Sequence, residues 1–118
     1  MGLHAANTGT RTRKAAMEYR VDFSGVQWET PMRGVRHKAL KHGARLLRLV
    51  EYTDDLEPHW CEKGHIGYLL EGRFEITFDS GVYEFRPGDG IFIPPGPAHR
   101  HMGRALSKTV KVIFVEDV

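Results

Sequence analysis

From residue 44 onward, apolar and polar positions alternate with period two, the pattern of strands that bury one face. In the run Arg73-Phe74-Glu75-Ile76-Thr77-Phe78, the set Phe74, Ile76 and Phe78 shares one face and the polar set the other. Tyr83 and Phe85 repeat the pattern, as do Val110, Val112 and Phe114 near the C-terminus. Leu46, Leu47, Leu49 and Val50 form a denser run, which predicts a strand covered on both sides. Turn residues separate these runs. Glu71-Gly72 and Asp79-Ser80-Gly81 predict tight hairpins. Four of the six prolines fall within residues 87–97. Proline cannot donate to a strand ladder, so this stretch must lie at an edge or bend sharply. No stripe of helical period follows residue 20. Nine short strands are expected, in an antiparallel sandwich or barrel. Tyr83, Phe85, Phe92 and Phe114 are assigned to its core.

The 118 residues suffice for one domain, placed at 21–118 behind a flexible tail at 1–20. Apolar residues at 41% and charged residues at 27% are ordinary globular values and argue against disorder. The net charge of +2 does not call for a nucleic-acid or membrane partner. It is also unevenly placed: Arg11, Arg13 and Lys14 precede the first acid, and without residues 1–16 the balance is −1. A terminus that frays is the simplest account of this arm. The basic run from Arg33 to Arg48 is followed at once by Glu51, Asp54, Asp55 and Glu57, which suggests solvated strand faces and loops. No apolar run approaches the roughly 18 residues of a membrane-spanning helix, and no secretory signal is expected. A single cysteine, Cys61, excludes an intrachain disulfide and suits a reducing cytoplasm, the expected location.

The chemical signal lies in the histidines. Of seven, four fall in two short windows: His59 and His65, then His99 and His101. On extended chain, residues i and i+2 point the same way, so His59 and Cys61 can face one space, as can His99 and His101. Imidazoles and a thiol aimed into a barrel outline a metal site, because neutral imidazole and thiolate are the donors that borderline and soft divalent ions prefer. The plainer account is that Cys61 is a small buried hydrophobe, as a free cysteine often is. Trp60 alternates away from the pocket face.

The stretch from His59 to Gly72 resembles the first conserved motif of the cupin superfamily: H-x-H, three or four residues, E, six residues, G. The stretch from Gly88 to His99 resembles the second: G, five residues, P-x-G, two residues, H, three residues, N. The resemblance covers roughly residues 26–116 and implies an all-β double-stranded β-helix, the jelly-roll or cupin barrel, as a single domain, often dimeric. In that family a metal is held by two His and a Glu of the first motif and a His of the second. Position by position, His59 takes the first His place, Cys61 the second, His65 falls where the family has Glu, and His99 is the second-motif His. Gly103 stands where the family has Asn.

These departures imply a softer donor set with no evident carboxylate. That disfavours an iron oxygenase and favours zinc, with nickel, copper or iron as other divalent transition metals. His59, His65 and His99 are expected to converge on the ion with Cys61, and His101 is either a substitute ligand or a substrate contact. His101 and Tyr68 are the candidates for general acid or base. Two function classes follow. One is a metal-dependent enzyme of isomerase, lyase or oxygenase type acting on a small molecule. The other is a non-catalytic small-molecule or metal sensor. In both, the expected partners are a small-molecule ligand and a second copy of the chain, with no nucleic acid and no membrane.

Overall fold

The structure, a computed structural model, describes residues 19–118. The proposed tail therefore lies almost wholly outside the described residues. Nine strands follow one another among them: β1 (Glu29–Met32), β2 (Val35–His42), β3 (Arg45–Thr53), β4 (His65–Glu71), β5 (Phe74–Phe78), β6 (Gly81–Phe85), β7 (Gly90–Ile93), β8 (His101–Ala105) and β9 (Thr109–Asp117). The only helical pieces among the described residues are two 3-10 turns, Phe23–Gly25 and Pro97–His99, so no helix there is long and apolar enough to cross a membrane.

The strands form two antiparallel sheets packed as a jelly roll. One has six strands in the order β1-β2-β3-β9-β4-β7, and the other three, β6-β5-β8. The alternation seen in the sequence sets their faces. Val50 on β3, Val110, Val112 and Phe114 on β9, Leu69 on β4 and Ile91 and Ile93 on β7 turn inward. They meet Phe74 and Ile76 of β5, and burying this set against water is the main drive for the sandwich.

Asp79-Ser80 is a true two-residue hairpin, with Phe78 paired to Gly81. Glu71-Gly72 is not. It is a corner at which the chain leaves one sheet for the other, because β4 pairs with β7 and β9 while β5 pairs with β6 and β8. Gly72 turns that corner at φ 87°, a backbone region that favours glycine. The proline-rich stretch brackets β7, which is an edge strand. The aromatic core assignment holds for Phe114, and Phe85 packs against the core; Tyr83 and Phe92 are instead 54% and 75% exposed. The basic run is largely paired off, Arg33 with Asp55, Arg36 with Glu51 and Arg48 with Glu116.

Candidate metal centre

Cys61 lies in an irregular segment between β3 and β4. It is fixed there by a reciprocal backbone pair with His101, whose amide and carbonyl bond those of Cys61 at 2.9 and 2.8 Å. That pair delivers the thiol beside the first residue of β8. His65 opens β4, on the inward parity of that strand. Donor atoms of Cys61, His65 and His101 all lie within 4.8 Å of one another, close enough to share one ion. Beneath them, Gly67 lets β4 press against β9, since a Cβ there would run into the Ile113 carbonyl and the Phe114 ring.

Both imidazoles are held from behind. His65 Nδ1 donates to Glu116 Oε2 at 2.5 Å, which leaves Nε2 facing Cys61 Sγ at 3.9 Å. His101 Nδ1 donates to the His99 carbonyl at 3.0 Å. Its Nε2 is buried with no hydrogen-bond partner. A buried polar atom left unpaired costs free energy, and a metal lone-pair acceptor at this point would remove that cost. Tying Nδ1 to a carboxylate or carbonyl is how ligating histidines are ordinarily set in one tautomer. The donor set and the orphaned nitrogen together fit a borderline or soft divalent ion.

Glu116 is part of a longer chain of charge. Its carboxylate accepts from Arg48 Nε and Nη2, both at 2.8 Å, and Arg48 Nη1 donates to His37 Nδ1 at 2.9 Å. Burial alone would raise the Glu116 carboxyl, but the bonds from His65 and Arg48 outweigh it and hold the pKa at about 2. The neighbouring imidazoles of His101, and then of His65, lower the Cys61 thiol to about 5 against the opposing effect of burial. Burial disfavours the His65 imidazolium, but Cys61 and Glu116 overcome it and the pKa is raised. Without metal, Cys61, His65 and Glu116 form one row in which each neighbour favours the charged form of the next.

The cluster lies on a cavity of about 550 Å³ between the sheets. Its wall is mainly apolar: Val35, Leu56, Phe74, Ile76, Ile93 and Phe114. Tyr52 also lines it, stacked on Phe74 at 4.7 Å, and burial pushes its phenol up so that it stays protonated. Trp60 stands at the cavity too, with Arg100 over its outer ring face at 4.1 Å.

The structure therefore brings together Cys61, His65 and His101, but not the other expected ligands. His59 lines the cavity from an exposed position, and its Nδ1 bonds the Glu57 carbonyl at 3.3 Å. His99 is exposed on the 3-10 turn, where only its backbone carbonyl serves the site. The i, i+2 rule fails between His99 and His101 because Gly96, at φ 116°, and Pro97 start a 3-10 turn, so the chain is not extended there. Tyr68, the other candidate acid or base, is 49% exposed on the outer face of β4 and is not among the residues that line the cavity. Glu116 was missed, although the inward set Val110, Val112, Phe114 points to it two residues on.

These features can be set beside known proteins. KdgF from Halomonas sp. is similar at 24% identity, over 80% of this chain and 89% of that one, with a TM-score of 0.64. The polyketide cyclase RemF from Streptomyces resistomycificus is 26% identical over 86% of this chain and 80% of its own, with a TM-score of 0.70. An RmlC-like cupin from Shewanella frigidimarina superposes with a TM-score of 0.67 at 17% identity, covering 86% and 91% of the two chains. An uncharacterised protein of Methanocaldococcus jannaschii is 40% identical over 45 residues, which are 38% of this chain and 35% of that relative. This match thus spans about a third of the relative's length. The family model described as the cupin domain matches residues 46–116, and the chain belongs to that family.

Proposed function

We propose that this cupin is a metal-dependent enzyme acting on a small, mostly apolar molecule held between the sheets, with zinc as the metal. The observation that carries this reading is the trio Cys61, His65 and His101 on an apolar cavity, with both Nδ1 atoms tied back. Three protein donors of this kind match the catalytic type of zinc site, which keeps one position for substrate or water. When bound, the ion would supply Lewis-acid polarisation of a substrate oxygen. Glu116 and the His99 carbonyl orient the two imidazoles. Phe74, Ile76 and Phe114 supply an apolar wall that excludes water, and Arg48, Glu62 and Lys63 are the charged residues that line the same cavity. Tyr52, kept protonated by burial, supplies a hydroxyl on the cavity wall for a carbonyl or enol oxygen. The similarity to a polyketide cyclase supports a carbonyl-bearing, enolisable substrate.

A non-catalytic ligand-binding role is the second reading. It is favoured by the state of Glu116, whose oxygens are engaged by Arg48 and His65 and so are not available as a base. One experiment separates the two. Zinc-loaded, chelator-treated and reloaded protein is assayed for turnover of a panel of small enolisable ketones and aromatic diketones, with binding followed in parallel. Turnover that is lost with chelator and restored by zinc supports the enzyme. Saturable binding without turnover supports the sensor. Neither binding nor turnover, with zinc absent from the purified chain, refutes both.

A further inference from the structure

One short segment runs along the cavity beside the candidate metal donors. Five consecutive residues, His59 to Lys63, line it. Extended chain would turn alternate side chains away, as the alternation of the sequence implies for Trp60. The segment is not regular strand. Its backbone is pinned by the Cys61–His101 pair and by the Gly96 amide, which donates to the Glu62 carbonyl at 2.9 Å. Trp60 therefore stands on the cavity directly before Cys61 in the chain.

The indole is braced on one ring face. Arg100 lies over that face, 4.1 Å from the ring centroid. Asp79 holds the guanidinium through Arg100 Nε at 3.1 and 3.2 Å and through Arg100 Nη2 at 3.0 Å. Asp79 belongs to the turn between β5 and β6, so the three-stranded sheet helps to set the position of the ring. Trp60 nevertheless remains 43% exposed, on the order of 100 Å² for so large a side chain. The ring is held in place while much of it stays open, which is the arrangement of a platform rather than of a core residue.

We propose that Trp60 is a specificity-determining residue of this cavity, and that the ligand class it selects is planar and aromatic, with a flat ring system lying on the open part of the indole beside Cys61. This rests on the reading of the cavity as the substrate site. Three observations favour a flat ring over other occupants. An aliphatic ligand gains contact area on the indole but no stacking, which adds about 2- to 12-fold in affinity. A cationic ligand is disfavoured, because the Arg100 guanidinium already sits on the ring and weakens the negative potential that a second cation would seek. The cavity wall has the same character: Tyr52 and Phe74 lie stacked with 20° between their planes, and Gly103 leaves the Phe74 ring the space that a Cβ would take. The cavity volume of about 550 Å³ lies within the roughly 300–1,000 Å³ of small-molecule sites.

Isothermal titration calorimetry tests this with naphthylmethanol and its fully saturated decalin counterpart, two primary alcohols on the same carbon skeleton, one flat and one puckered. The full chain, Trp60→Phe and Trp60→Leu are each titrated free of metal and loaded with zinc. The full chain should bind the flat alcohol at least about fivefold more tightly than the puckered one. That ratio should fall by at least about threefold in Trp60→Leu, through loss on the flat alcohol alone, and should be retained in Trp60→Phe. A Trp60 with only a packing role would weaken both alcohols together. Equal affinities in the full chain, no binding of either alcohol, or a ratio that falls by less than about threefold in Trp60→Leu overturns the proposal. Nuclear magnetic resonance of the wild-type complex keeps the test decisive if the variants fail to fold. Nuclear Overhauser contacts between naphthalene and Trp60 ring protons are expected, and their absence overturns the proposal. Zinc stoichiometry of the same samples separates this from the metal reading. A chain that selects the flat alcohol but takes up no zinc keeps the platform and refutes the metal, and a zinc-binding chain without selection does the reverse.

Discussion

Replacing Glu116 by alanine removes the carboxylate that orders both the candidate metal ligand His65 and the guanidinium of Arg48. Both partners are largely buried, with side-chain exposures of 12% and 15%, so neither regains full hydration when the acid goes. A carboxyl pKa of about 2 in place of 4.5 corresponds to about 3 kcal/mol at ~1.36 kcal/mol per unit, or about 2 kcal/mol after solvent screening. For a domain of this size, that loss lowers the melting temperature by on the order of 10 °C. The sign of the pH dependence follows from the two shifts. Glu116 is lowered, so its contribution is complete above pH 4.5 and is lost as the pH falls toward about 2. His65 is raised, so its contribution is complete below pH 6.5 and is lost as the pH rises through the elevated value. Urea unfolding of the metal-free wild type and Glu116→Ala should therefore differ most between pH 4.5 and 6.5, converge as the pH falls toward about 2, and narrow only in part at higher pH, where Arg48 still pairs with Glu116. In a competition titration with a chromophoric chelator, zinc affinity should fall about 10- to 100-fold. A stability difference below about 0.5 kcal/mol across this range, the level of an unremarkable surface change, would refute the assigned role of the His65–Glu116–Arg48 row.

Further outcomes follow from the same geometry. Cys61→Ser should weaken zinc binding by more than about tenfold in the same titration, because a hydroxyl is a far poorer zinc donor than a thiolate. His101→Leu should abolish zinc binding in the same titration, because it removes one of the three donors. His99→Ala should leave zinc affinity within about twofold in the chelator competition, because only its backbone carbonyl reaches the site. Gly67→Ala should cost about 3 kcal/mol in urea unfolding, because its Cβ meets the Ile113 carbonyl and the Phe114 ring.

Strand parity made most of the fold legible in the sequence, and the same rule held information that went unused. With His65 inward, Ile66 and Tyr68 must face out, so Tyr68 could not reach the cavity. With Phe114 inward, Glu116 must also be inward, beside His65. The motif spacing singled out Cys61 and His65, which the fold brings together with His101. What it could not convey was where the chain stops being extended. The Gly96-Pro97 turn sends the His99 ring to solvent, and the irregular segment before β4 leaves His59 exposed beside the cavity. The Cys61–His101 backbone pair joins residues 40 positions apart, and only the folded sandwich makes that contact. The run Leu46–Val50 was legible as apolar on both faces, and its outward Leu47 and Leu49 are half-buried in the single chain.

X-ray absorption at the zinc edge of the purified protein tests the central claim most directly. The account predicts about one zinc per chain with a mixed shell, one sulfur at about 2.3 Å and two imidazole nitrogens at about 2.0–2.1 Å. A shell without sulfur, or a sulfur signal that persists in Cys61→Ser, would contradict it.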